Sequence, residues 1–130
     1  MTYCLGIKVK SGLVAIADTR LTSGNECSIG KKIFTHQREN HSLFIMTSGL
    51  RSVRDKVITY YKECLELNDI KYNKMYKAVN GLAEQLRRVS DEDKEYLLKS
   101  GLAFNLFCII GGQLEDDEEH KLFLLYPEGN

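Results

Sequence analysis

A threonine stands directly behind the initiating methionine, in the stretch Met1-Thr2-Tyr3-Cys4-Leu5-Gly6-Ile7. If Met1 is removed, Thr2 carries a hydroxyl and a free α-amine on one residue. An α-amine has an ordinary pKa of about 7.7–8.0, so it can act as general base for the neighbouring Oγ at neutral pH, and no histidine is needed. The chemistry on offer is nucleophilic attack by a hydroxyl on an acyl group. Gly49, in Thr47-Ser48-Gly49, is a second candidate. It falls where a strand turns into a helix, a place where a backbone N–H can face an anion with the helix N-terminus behind it. A glycine kept at a tight corner for conformational reasons alone is the plainer alternative. His36 and His41 flank a turn, where histidine is commonly solvated, and neither is given a role.

These residues need elements to position them. From Thr2 to Lys10 the chain alternates, with Tyr3, Leu5, Ile7 and Val9 on one face and Thr2, Cys4, Gly6, Lys8 and Lys10 on the other. After a turn at Lys10-Ser11-Gly12, Leu13 to Ala17 is a continuous apolar run, read as a strand covered on both faces. Hairpin pairing then returns Asp18 to the side of Thr2. Thr19 to Gly30 is polar, without period, and reads as a surface loop that could wall a cleft. Lys31 to His36 and Ser42 to Thr47 form a second hairpin around a Gln37–His41 turn. A helix follows, with Val53, Val57, Tyr60, Tyr61, Cys64 and Leu65 at three- and four-residue spacings and Ser48 as N-cap. A polar link around Asn68 to Asn73 leads to a second helix striped by Met75, Val79, Leu82, Ala83 and Leu86. That helix either restarts or continues for a turn or two at Ser90-Asp91-Glu92-Asp93, and it stops at Gly101. Ala103 to Ile110 and Lys121 to Tyr126 are the last two strands, joined through a solvated acidic tip from Glu115 to His120.

The order of four strands, two helices and two strands is α+β. With 130 residues, 43% apolar and 28% charged, the chain is expected to form a single domain, 1–130. Lysine plus arginine equals aspartate plus glutamate, 18 each, so the overall balance favours neither nucleic acid nor an anionic membrane as partner. The sequence holds no apolar run of transmembrane length and no export-signal pattern, so a cytoplasmic location is expected. Cys4, Cys27, Cys64 and Cys108 are widely spaced and read as buried reduced thiols in place of a zinc site or disulfide framework.

The residues also carry a resemblance. Met1 to Ile7, Ala17-Asp18-Thr19-Arg20, Lys32-Ile33-Phe34, Thr47-Ser48-Gly49, Phe107 to Gln113 and Tyr126-Pro127-Glu128-Gly129-Asn130, in this order and spacing, are similar to the proteasome-type N-terminal nucleophile hydrolases. The closest likeness is to the bacterial Anbu, or ancestral β subunit, branch. The resemblance implies a four-layer α-β-β-α sandwich, self-assembly into rings or short helical turns, and hydrolysis of peptide or other amide bonds. By position it makes Thr2 the nucleophile, Asp18 and Lys32 the charged pair beside it, and Gly49 an oxyanion-hole donor. It implies no cofactor, no metal, no nucleic acid and no membrane partner, and leaves an ATPase partner open. Members of the family continue well beyond a Pro-x-Gly-Asn segment, so the chain is expected to be the N-terminal part of such a domain, truncated at its C-terminus. A non-catalytic structural subunit of the same kind of assembly, or an inactive fragment of one, is the competing reading. A plain α+β binding domain comes third.

Overall fold

A computed structural model describes residues 2–23, 25–39, 41–67 and 72–130. The fate of Met1, position 40 of the expected turn and positions 68–71 of the expected polar link lie outside the described residues. The first hairpin pairs β1 (Cys4–Val9) with β2 (Gly12–Ala17), in register from Cys4↔Ala17 to Val9↔Gly12. The Asp18 N–H extends this ladder by donating to Tyr3 O at 3.1 Å. The inward face of β1 is the one bearing small side chains. Cys4 Sγ reaches Thr47 O at 3.6 Å, and a Cβ placed on Gly6 would lie 3.1 Å from Ile109 and 3.2 Å from Leu122. Small residues let the hairpin approach the sheet beneath it. The apolar face therefore points outward, and Tyr3, Ile7, Val9, Val14 and Ile16 are each 40–61% exposed. This corrects the expectation that the Leu13–Ala17 run is covered on both faces: among the described residues only Leu13, Ala15 and Ala17 face the sheet.

The main sheet has the antiparallel order β5 (Ile33–Gln37), β6 (Ser42–Gly49), β7 (Leu106–Gln113), β8 (Lys121–Leu125). Alternation along the two central strands divides their side chains between two neighbours. Leu43, Ile45, Leu106, Cys108 and Ile110 enter the helix-side core. Ile109 and Gly111 meet the first hairpin, where Leu122 and Leu13 approach Gly111. β7 starts three residues later than expected, and the Leu50 N–H, donating to Asn105 O at 3.0 Å, continues its ladder with β6 by one pair.

The helices α1 (Arg51–Leu67) and α2 (Met75–Lys99) cover the other sheet face. They run antiparallel, since Lys56 near the start of α1 bonds Glu92 and Asp93 late in α2, while Tyr61 donates to Ala78 O at 2.7 Å. Val53, Val57, Tyr61, Met75, Leu82 and Leu86 fill the seam. The acidic cluster at Ser90–Asp93 does not restart a helix; α2 passes through it unbroken and its carboxylates serve Lys56. Gly101, with φ +76°, ends α2, and Leu102 N–H closes back on Leu97 O at 2.9 Å.

Three further expectations are corrected. The stretch expected to be a loop holds two strands: β3 (Arg20–Ser23) pairs with β4 (Glu26–Ile29). All of β4 is exposed, and the half-buried Leu21 of β3 is too isolated to leave an apolar period to read. Ser48 lies within β6, and the first α1 bond is accepted by Leu50 O from Arg54 N–H at 3.0 Å, so Leu50 holds the N-cap position. The acidic tip is structural at Asp117, whose Oδ2 accepts the N–H groups of Leu114 at 2.9 Å and of Met75, the first residue of α2, at 3.0 Å. Of the cysteines, Cys108 is buried, Cys4 and Cys64 are half-buried and Cys27 is exposed; among the described residues no disulfide joins them.

Candidate active site

Four elements converge at one end of the molecule. Thr2 precedes β1 and Asp18 follows β2, so antiparallel pairing sets them side by side. Lys32 immediately precedes β5, an edge strand of the main sheet, and Gly49 ends β6. The structure brings Thr2, Asp18 and Lys32 into direct contact. Lys32 is 6% exposed, and its Nζ donates to Asp18 Oδ1 at 2.9 Å and to Thr2 Oγ at 3.3 Å. Burying an ammonium is costly unless it is paired and hydrogen-bonded, and these two oxygens meet that need.

Asp18 is held on several sides. Its Oδ1 also accepts the Tyr3 N–H at 2.8 Å, and its Oδ2 accepts the Arg20 N–H at 3.3 Å. The Tyr3 N–H first, and then the Lys32 ammonium, bring its pKa down to about 2. The carboxylate is thus ionised throughout the physiological range and keeps Lys32 in place. Cys4, two residues from Thr2, is driven the other way. Burial raises its pKa and the negative Asp18 adds to the rise, against a smaller opposing effect of Lys32. It remains a thiol and offers no competing thiolate.

Gly49 borders the same cleft as Thr2. Its φ is +140°, and a Cβ there would collide with the Asn105 carbonyl. The corner therefore demands glycine on conformational grounds, whatever else its N–H does. The small cleft opening from Thr2 is bordered by Thr47, Gly49 and the cations Lys31, Lys32, Arg51 and Arg54. A neighbouring cavity of about 500 Å³ runs between Thr2, the β3–β4 hairpin and the start of α1.

Lys31, Arg51 and Arg54 were missed by reading the sequence. A signal exists: α1 has no acidic residue in its first turn and instead opens with two arginines, against the sense of the helix dipole. Both arginines are met by Asp55 further along the helix, at 3.6 Å from Arg51 and 3.0 Å from Arg54. Among the described residues no cluster of three or more histidine, cysteine, aspartate or glutamate side chains is placed to hold a metal ion, and no helix is long and apolar enough to cross a membrane.

No family model and no curated protein matches the chain. Its structural neighbours among solved structures are Anbu proteins. A Gly-1 mutant of Anbu from Hyphomicrobium sp. strain MC1 superposes with a TM-score of 0.84 at 26% identity, over 100% of this chain and 54% of that one. Anbu from Yersinia bercovieri gives 0.84 at 24% identity, over 100% and 54%. A helical assembly of the Anbu complex from Pseudomonas aeruginosa gives 0.82 at 22% identity, over 100% and 55%. The chain thus spans about half the length of the solved chains it matches, and its mixed α+β fold is theirs.

Proposed function

We propose, from the premise that this chain has the Anbu fold, that it carries the nucleophile of a proteasome-type threonine hydrolase that cleaves peptide or other amide bonds inside a self-assembled oligomer. The observation that supports this most directly is the buried Lys32 ammonium suspended between the Asp18 carboxylate and the Thr2 hydroxyl. In this reading removal of Met1 frees the Thr2 α-amine. The neutral amine takes the Oγ proton as Oγ attacks the substrate carbonyl carbon. The carbonyl oxygen becomes an oxyanion facing the Gly49 N–H, and the amine then returns its proton to the departing substrate nitrogen. Water, deprotonated by the same amine, hydrolyses the resulting ester. Lys32 stabilises negative charge developing on Oγ and, as a nearby cation, favours the neutral amine; Asp18 holds Lys32 oriented. A single oxyanion donor is worth roughly 10²–10³ in rate, which is the contribution asked of Gly49.

The open apolar face of the β1–β2 hairpin fits a fourth layer over it in the complete fold, and assembly of several copies. The same face supports a second reading, a structural subunit without catalysis. Intact mass of the natural protein, together with turnover of a blocked peptide amide, separates the two. Loss of Met1 with turnover that Thr2→Ala abolishes is the result expected of the hydrolase. Equal turnover by forms with and without Met1 would overturn the role of the α-amine, and retention of Met1 with no turnover would favour the structural subunit.

A further inference from the structure

We propose that the cleft beside Thr2 selects substrates with an acidic side chain, aspartate or glutamate, next to the amide bond to be cut. This deepens the hydrolase reading above and rests on it. Among the described residues, the cleft that opens from Thr2 is bordered by four cations, Lys31, Lys32, Arg51 and Arg54, and by no carboxylate. Two carboxylates lie behind these cations. Asp18 engages Lys32 at 2.9 Å, and Asp55 is shared by Arg51 at 3.6 Å and Arg54 at 3.0 Å. Lys31 makes no ion pair among the described residues. Among the described residues, four cations met by two carboxylates leave a net charge of plus two around the space into which a substrate side chain would project from a carbonyl held at Thr2. The larger cavity alongside does not reverse this, because its Arg20 is balanced by Glu26.

The shape of the wall suits the charge. A Cβ on Gly30 would collide with Leu21 and come within 3.4 Å of a terminal nitrogen of Arg51, so the glycine lets Leu21 pack close beside the Arg51 guanidinium at the cleft wall. A guanidinium binds a carboxylate through two parallel hydrogen bonds. A lysine or arginine in the substrate would instead meet like charges, which discriminates against it.

The test uses the full natural protein with Met1 removed, and N-blocked fluorogenic peptide amides with Glu, Leu or Lys before the scissile bond. In parallel, uncleavable labelled peptides of the same sequences, and one whose only anion is its terminal carboxylate, are titrated against Thr2→Ala protein by fluorescence anisotropy. The glutamate peptide is expected to exceed the lysine peptide at least about tenfold in kcat/KM and in affinity, a modest share of what a charge-assisted contact can supply. Arg51→Glu is expected to reverse that order, while Arg51→Lys keeps it in part. Preference for Leu or Lys overturns the proposal, as does a Glu preference untouched by both Arg51→Glu and Lys31→Glu. Equal binding of the peptide with only a terminal carboxylate overturns it too, since the chain end and not a side chain would then be recognised. If no peptide turns over while Thr2→Ala protein still prefers the acidic one, the hydrolase reading falls and the charge-selective cleft stands.

Discussion

At Lys32, one ammonium serves a carboxylate and a hydroxyl from a buried position, so its two partners are not equivalent in what their removal does. Asp18→Asn leaves a buried cation without its counter-charge, whereas Lys32→Met leaves a carboxylate that still accepts the Tyr3 and Arg20 N–H groups and is one-third exposed, at 33%. Asp18→Asn is therefore expected to lower the urea midpoint more than Lys32→Met, though both should cut turnover by about 10² or more. Thr2→Ser, which keeps a hydroxyl and an amine, should retain part of the activity, and His36→Ala and His41→Ala most of it. The pH dependence of stability follows from the sign of the Asp18 shift. A carboxylate held below its ordinary 3.8, at about 2, contributes stability above pH 3.8 and loses it as pH falls through 2. Urea unfolding at pH 5 and pH 2.5 should show a drop in the natural protein that is smaller in Asp18→Asn.

At the scale of elements, two glycines and one aspartate separate conformational from steric and capping effects. Gly49→Ala puts a side chain against the Asn105 carbonyl at φ +140° and should cost about 3 kcal/mol or more, or prevent folding. Gly101→Ala, at φ +76° with open space around it, should cost only about 1 kcal/mol. Asp117→Ala removes the acceptor for Met75 N–H at the start of α2 and should cost about 1–2 kcal/mol by thermal or urea unfolding, with the loss felt in α2. The helices and the six strands other than β3 and β4 were legible because burial imposes a period: Val53, Val57 and Tyr61 in α1, and Leu43 and Ile45 in β6, repeat as their contacts require. β3 and β4 were not legible because β4 is exposed throughout and the half-buried Leu21 of β3 does not repeat into a period. The Asp117 cap joins residues 42 apart in the chain, and no local pattern announces such a pairing. Thr2 and Asp18 could be set together from hairpin pairing alone. Lys32 could not, because its approach depends on how one sheet sits on another; only its likeness to the family's charged residue singled it out.

For the whole molecule, the described layers are a hairpin, a four-stranded sheet and a helix pair, and the outermost face of the hairpin is apolar. Tyr3, Ile7, Val9, Val14 and Ile16 form one outward stripe, larger than the scattered apolar residues an isolated surface carries. Light scattering of the full natural protein is expected to give the mass of several copies. A monomer with Val14 and Ile16 protected from solvent would contradict assembly across this face.

The seam between the first hairpin and the sheet has one more consequence. Thr2 and Asp18 ride on the hairpin, while Lys32 and Gly49 belong to the sheet, and the two are held together by small-residue contacts at Gly6 and Gly111, the Cys4–Thr47 contact and the His120 ring against Val9 O at 2.7 Å. The helix-side core lies on the opposite face and takes no part in this attachment. Lifting the hairpin would therefore dissolve the Thr2–Lys32 contact while the core stayed intact. Amide protons of β1 and β2 should exchange through an opening of lower free energy than those of α1, α2 and β7, and in rising urea the geometry around Thr2 should disappear before the helical signal does.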